Sequence, residues 1–256
     1  MDAKDGGEKI TDIMNDLFEI NHRLSFNLWY LTNVKSNPQG LSPRLILPKW
    51  RSGEIRISEQ ESKILYCGLS NTLNYYYSIE TPTEEVYQQN GKTSQSARSD
   101  LSLYDYDGEK FKKVANVEFK VHNPDKEQIR KDIEKIIKEG ITGNWFHTLK
   151  SINRGTLPSL FKKFIYSFKE RSSLIDADKG VSILFCFCVL DKKWACIKHF
   201  LYNSSKASFE NYLDNFFWSG LFCEIRKDRS NRWKRLVFNF TCQLRFRIET
   251  LNIQKA

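Results

Sequence analysis

No apolar stretch in this chain approaches the length a membrane helix needs. The longest, Val181 to Leu190, is about half of the roughly 20 residues that cross a bilayer. The first residues, MDAKDGGEK, lack the basic start and apolar centre of a secretory leader, so a cytoplasmic protein with no membrane partner is expected. CxxC spacing is missing too. Cys67, Cys186, Cys188, Cys196, Cys223 and Cys242 sit among apolar neighbours, which favours small buried hydrophobes over zinc ligands or disulfides. There is no GxxxxGK phosphate loop, GxSxG elbow, HExxH pair or glycine-rich dinucleotide fingerprint. If energy or target recognition is required, another chain must provide it. No repeat or low-complexity tract stands out.

What the chain does carry is positive charge. Its 40 Lys and Arg outnumber 31 Asp and Glu, leaving +9 over 256 residues, a balance that suits a polyanionic partner. Nine of the basic residues lie in the last 36 positions, against three acids. Within "RKDRSNRWKR", Arg229, Arg232, Lys234 and Arg235 supply phosphate-binding charge, and Trp233 offers a ring for stacking; Arg245 and Arg247 follow on one face of an alternating strand, Phe238 to Ile248. A solvated loop is the alternative reading of that run.

Apolar spacing places a helix over Ile10 to Ile20, after a tail expected to be disordered, and a second helix near Ile57. Ser58 and Glu61 match the S-x-x-E capping box at its start. A tyrosine-rich strand runs from Asn74 to Glu80, and GKTSQSARSD reads as a polar connection into a strand from Leu101 to Tyr104. DYDG at 105–108 is a turn, and KVANVEFKVHN is the returning strand. Asn123 and Pro124 then open a helix whose stripe is Ile129, Ile133, Ile136 and Ile137, closed by Gly140. Further on come a helix from Pro158 to Phe168, a hairpin of Val181–Leu190 with Trp194–Phe200, and a helix near Phe209 to Phe217. Strands followed by a crossover helix imply a mixed α/β sheet.

Alternation in the returning strand sends Val117, Phe119 and Val121 into a core and Glu118, Lys120 and His122 to the other face. A turn near Gly108 and Glu109 sets Asp100 across from Glu118, with Cβ atoms roughly 5 Å apart. Two neighbouring carboxylates ask for water or a cation between them, and Mg²⁺ commonly takes one or two protein carboxylates, leaving other positions to water and phosphate. Lys120 on the same face could orient or deprotonate an attacking water and stabilise developing negative charge. Helical phase makes Glu61 the inward acid of its helix and turns Glu59 away, although the capping box alone also accounts for Glu61. The plain alternative is a solvated strand face with a Glu118–Lys120 charge pair. His147 reads as structural. Gln128 and Arg130 stand either toward the same site or on a solvated helix face.

A helical glutamate, a strand, Asp100 in a second strand, a turn, then Glu118-Phe119-Lys120 in a third strand before a helix resembles the PD-(D/E)XK nuclease superfamily over about residues 55–150. Ser99 departs from the pattern, standing where the namesake proline would be. The resemblance implies a restriction-endonuclease-like mixed β-sheet flanked by helices. It also implies a metal-dependent endonuclease: Asp100, Glu118 and Glu61 on Mg²⁺ or Mn²⁺, and Lys120 serving the nucleophilic water. The expected organisation is a helical or irregular segment (1–50), the nuclease-like core (51–200) and a basic C-terminal α+β extension (201–256). The partner would be DNA, with RNA as the alternative, and a second protein or second copy; by analogy of fold, antiviral defence is one setting. The competing expectation is a non-catalytic nucleic-acid-binding or scaffold subunit of a larger assembly.

Overall fold

The computed structural model describes the backbone of residues 4–33, 45–89, 92–150, 159–160, 162–164, 166–167, 181–190, 195–203, 208–210, 221–227 and 233–239. Helix α1 (Lys4–Asn33) and helix α2 (Glu59–Thr72) precede strands β1 (Tyr76–Gln89), β2 (Lys92–Tyr106) and β3 (Phe111–Val121). Helix α3 (Lys126–Glu139) leads to β4 (Thr142–Leu149), β5 (Ser182–Leu190), β6 (Ala195–Asn203) and β7 (Ser208–Glu210), and β8 (Leu221–Lys227) and β9 (Trp233–Asn239) form a separate pair. Strands β1 to β7 lie side by side in chain order in one open sheet, with β3, β4 and β5 parallel and the other neighbours antiparallel.

The two faces of this sheet follow strand parity. Val117, Phe119, Phe146, Leu184, Cys186 and Cys188 meet Leu17, Ile20, Leu24 and Leu28 of α1 and Leu65, Tyr66 and Leu69 of α2 in one core. Trp145, Ile183, Phe185, Phe187 and Val189 meet the isoleucine stripe of α3, together with Leu160 and Phe164, in the other. Described residues between 159 and 167 are helical, as the spacing of Leu160 and Phe164 implies. Cys67, Cys186 and Cys188 are buried free thiols, in keeping with their apolar setting. No helix among the described residues is long and apolar enough to cross a membrane.

Several elements differ from the sequence reading. Helix α1 runs well past Ile20, because polar Asn21 and Ser25 interrupt the apolar stripe while remaining fully buried. Asn21 is accommodated by two reciprocal amide bonds of 3.0 Å to Asn144 in β4, and Asn144 also donates to the Tyr66 hydroxyl at 3.0 Å. The polar stretch 91–100 is mostly strand: β2 begins at Lys92 and pairs back onto β1, a polar edge ribbon that needs no apolar alternation. The N-cap of α3 is Asp125 rather than Asn123, since its carboxylate accepts the Gln128 amide at 2.7 Å and the Asp125 amide donates to Gln128 Oε1 at 3.1 Å. Gly140 does end that helix, at φ +64°.

Strand β4 is absent from the sequence reading. All but its first residue are buried, so it has no polar face to alternate against. Gly143 within it is required by packing: an added Cβ would lie 2.3 Å from Ile136 of α3. Residues 208–210 begin with a strand where a helix near Phe209 was expected, and 211–217 lie outside the described residues. Of the expected strand from Phe238 to Ile248, Phe238 and Asn239 end β9, and 240–248 lie outside the described residues. The basic run is the connection of the β8–β9 hairpin, in which Lys227 pairs with Trp233 and Arg226 with Lys234.

Candidate active site

Asp107 builds the turn that fixes the site's register. Its Oδ1 accepts the amides of Glu109 (3.0 Å) and Lys110 (2.9 Å), and Gly108 takes φ +98°. One register shift between Leu103 and Tyr104 then brings Leu101 opposite Val117. Extending that pairing by one residue sets Asp100 opposite Glu118. The backbone ladder stops at this point, and the Phe119 amide instead donates to Asp100 Oδ2 at 2.8 Å. The Asp100 carboxylate therefore takes the place of a ladder carbonyl where β2 and β3 part.

Glu118 is completely buried. Lys135 of α3 donates to its Oε2 at 2.8 Å and to the Arg98 carbonyl at 3.1 Å, whereas Glu118 Oε1 is buried without a partner among the described residues. Lys135 also lies 2.8 Å from Asp132 Oδ1, and Lys120 lies 2.9 Å from Asp132 Oδ2. Glu118 and Lys120 share one face of β3, and contacts through α3 link four charged side chains in a chain of alternating sign: Glu118, Lys135, Asp132, Lys120. Burial pushes the Glu118 carboxyl well above its usual range, helped by Asp132 and Asp100 and opposed by Lys135. Lys135 and Lys120 are both raised, because their carboxylate neighbours outweigh the burial that would lower them. Lys120 is thus held as an ammonium, 6.0 Å above the Trp145 ring.

The acid contributed by α2 is Glu59 rather than Glu61. Glu61 does face inward, but its Oε2 accepts the Ser58 amide at 2.8 Å and the Ser58 hydroxyl, and its Oε1 sits 3.7 Å from Arg56. Burial would raise its pKa, yet these bonds hold it below the usual value. Glu59 Oε1 is 3.9 Å from Lys120, and Glu59 is raised, by burial first and then by Asp100 and Asp132. Lys63, the other inward charge of α2, pairs with Glu80 and approaches Asp100 Oδ1 at 3.5 Å. Glu80 adopts φ +53° in the middle of β1.

Neither Gln128 nor Arg130 reaches this group, because Gln128 caps α3 and Arg130 pairs with Glu127. His147 stands beside Lys120 in the β3–β4 register. Its Nε2 meets the His122 carbonyl at 2.7 Å, and since a carbonyl only accepts, that nitrogen carries the proton. Burial lowers its pKa to about 4. His122 itself is exposed, with φ +61°. Of the C-terminal candidates, Trp233, Lys234 and Arg235 belong to β9 by their backbones, and Arg229, Arg232, Arg245 and Arg247 lie outside the described residues.

Asp132, Lys135, Glu59 and Lys63 are site residues that sequence reading missed. A signal existed for Asp132: it falls about 40° from Ile136 on the helical wheel, inside the buried arc of α3.

Among the described residues no three His, Cys, Asp or Glu side chains stand together as a metal-binding group. Two carboxylates are the smaller set that Mg²⁺ uses when water and phosphate complete its shell. Asp100 and Glu118 fit that set, and the unpartnered Glu118 Oε1 is the free donor in it. Comparison with protein-family models, curated proteins and solved structures gives no match.

Proposed function

We propose that the chain is a metal-dependent endonuclease that hydrolyses phosphodiester bonds in DNA. The observation that carries the reading is the buried Glu118 with one unpartnered oxygen, next to Asp100 where β2 and β3 separate, and with Lys120 on the same strand face. The order α2, three antiparallel strands, α3 and a strand parallel to the third supports the resemblance to the PD-(D/E)XK nucleases.

Asp100 and Glu118 would hold Mg²⁺ or Mn²⁺, which when bound supplies an activated water and neutralises charge on the phosphate. Asp132 and Glu59 hold the Lys120 ammonium in place. From there Lys120 acts as a hydrogen-bond donor and positive charge, orienting water and stabilising the oxyanion that develops at phosphorus. Asp100 keeps the end of β2 attached to Phe119, which fixes its own carboxylate beside Glu118.

The test is nicking of supercoiled plasmid in Mg²⁺ or Mn²⁺, with EDTA as control. Lys120→Ala should lower the rate by about 10²-fold or more while leaving the protein folded. Equal nicking by both proteins would remove Lys120 from the chemistry. A second reading, a non-catalytic nucleic-acid-binding or scaffold subunit, is favoured by the way Lys135, Lys120 and Lys63 already neutralise the carboxylates. Silence from both proteins in every metal would support it.

A further inference from the structure

Upstream of α2, residues 45–57 form a hairpin anchored from below and bare on top. Leu47 and Ile57 are buried, and Leu45 and Ile55 pack against the α1/α2 core. Lys49 bridges to Ile55, the Trp50 amide donates to the Glu54 carbonyl at 2.8 Å, and the Gly53 amide donates to the Trp50 carbonyl at 2.9 Å. Gly53 takes φ +83°, so the turn depends on a glycine there. Everything from Pro48 to Glu54 is exposed.

The exposed tip is aromatic and basic. Trp50 leaves 55 % of its surface open, and the Arg56 guanidinium lies 5.9 Å from its ring centroid. Lys49 and Arg51 flank it, and the one acid of the segment, Glu54, is 3.4 Å from Lys150. Lys150 directly follows β4, at the end where β3 finishes in Lys120 and Val121. The tip is therefore tied to the carboxyl end of the parallel strands, the end that carries Lys120, and Ser58 and Glu59 begin α2 just after it.

We propose that this hairpin docks single-stranded nucleic acid, with an unpaired base stacked on Trp50 and the adjoining phosphates on Lys49 and Arg51. A tryptophan beside a guanidinium and two exposed lysine and arginine side chains, unpaired among the described residues, matches what an unpaired nucleotide offers, a π face linked to negative charge. The charge of the surface selects a polyanion over an apolar peptide. The proposal rests on the nuclease reading for its purpose, and its binding test does not require cleavage.

The experiment is fluorescence anisotropy of a labelled oligothymidylate of about 15 nucleotides, and of a duplex of the same length, with the full chain in EDTA. Trp50→Ala should weaken single-strand binding about tenfold or more, with less effect on duplex. Lys49→Gln and Arg51→Gln should each lower the slope of log affinity against log salt by about 0.7. Thermal melts followed by circular dichroism check that these exposed positions leave the fold intact. Trp50→Ala binding within about twofold of the parent would overturn the proposal. So would a parent protein that binds anionic phosphatidylserine vesicles but not the oligonucleotide. If the parent binds but never cleaves, the nuclease reading fails and docking stands; if Trp50→Ala binds and cleaves normally, docking fails and the nuclease reading stands.

Discussion

Replacing Lys135 with methionine asks what the α3 side of the charged cluster contributes. Its ammonium lies 2.8 Å from both Glu118 and Asp132, with side chains 13 %, 1 % and 10 % exposed. At that distance one pair is worth about 6 kcal/mol for an effective dielectric of ~20, before the cost of desolvating both partners. Removing one partner strands the other, and for buried pairs the net loss is about 3–5 kcal/mol. Lys135→Met should therefore destabilise the chain in urea denaturation by up to about that much near pH 9 and by less at neutral pH, where the lone Glu118, already pushed up to about 8 by burial, takes up a proton. Glu118→Gln combined with Lys135→Met should recover about 2 kcal/mol or more, because the stranded charge is gone. Mg²⁺ or Mn²⁺ should partly restore the single variant and not the double one, since only the single variant keeps the Glu118 carboxylate for the ion to neutralise. A loss below about 1 kcal/mol at alkaline pH, or a double variant no better there than the single, would refute this account of the charged cluster.

Two further outcomes concern histidine and the helix cap. His22 of α1 and His199 of β6 stack 5.3 Å apart, and neither nitrogen of the fully buried His199 has a partner. Burial lowers His22 to about 4 and His199 well below its usual value. The unfolded chain thus takes up protons that the fold refuses, and stability should fall as pH drops from about 6.5 toward 4, by about 3 kcal/mol for His22 alone. Urea midpoints measured across that range should drop, and His199→Phe should flatten the dependence; a flat profile in the parent would contradict it. Glu61→Ala should cost about 1 kcal/mol through the lost capping box and leave the plasmid-nicking rate unchanged, whereas a lost rate without lost stability would return Glu61 to the metal site.

How much of the fold the sequence disclosed depended on whether each element alternated polar with apolar residues. Strand β3 has polar Glu118 and Lys120 between Val117, Phe119 and Val121, so period two was visible. β5 and β6 were legible as a hairpin because a short polar DKK separates two apolar runs, and they pair from Leu190 and Ala195 outward. Strand β4 sits in the middle of the sheet between two cores, and Asn144 and His147 are buried in it with internal partners. Its composition therefore carries no alternation to read. The start of β2 failed for the opposite reason: it is a polar ribbon at the edge, held by backbone bonds to β1 that composition does not record.

The site divides the same way, by whether backbone geometry or side-chain competition decides. Register is a backbone property: the Asp107 turn and one bulge suffice to bring Asp100 to Glu118, and both follow from local sequence. The choice between Glu59 and Glu61 is not a backbone property. Wheel phase placed Glu61 correctly on the inner side, but a carboxylate goes where its hydrogen bonds are, and Ser58 lies closer to it than any charge on the sheet. Lys135 and Asp132 were hidden by a habit of reading. Charged residues on an amphipathic helix are assigned to solvent, yet two placed at the margin of the isoleucine stripe reach over it toward the strands. A buried glutamate such as Glu118 requires a cation close by, and the crossover helix packed on that face of the sheet is the element with a lysine in reach. Searching the facing helix for the counter-charge of a buried strand carboxylate would have named Lys135 from the sequence.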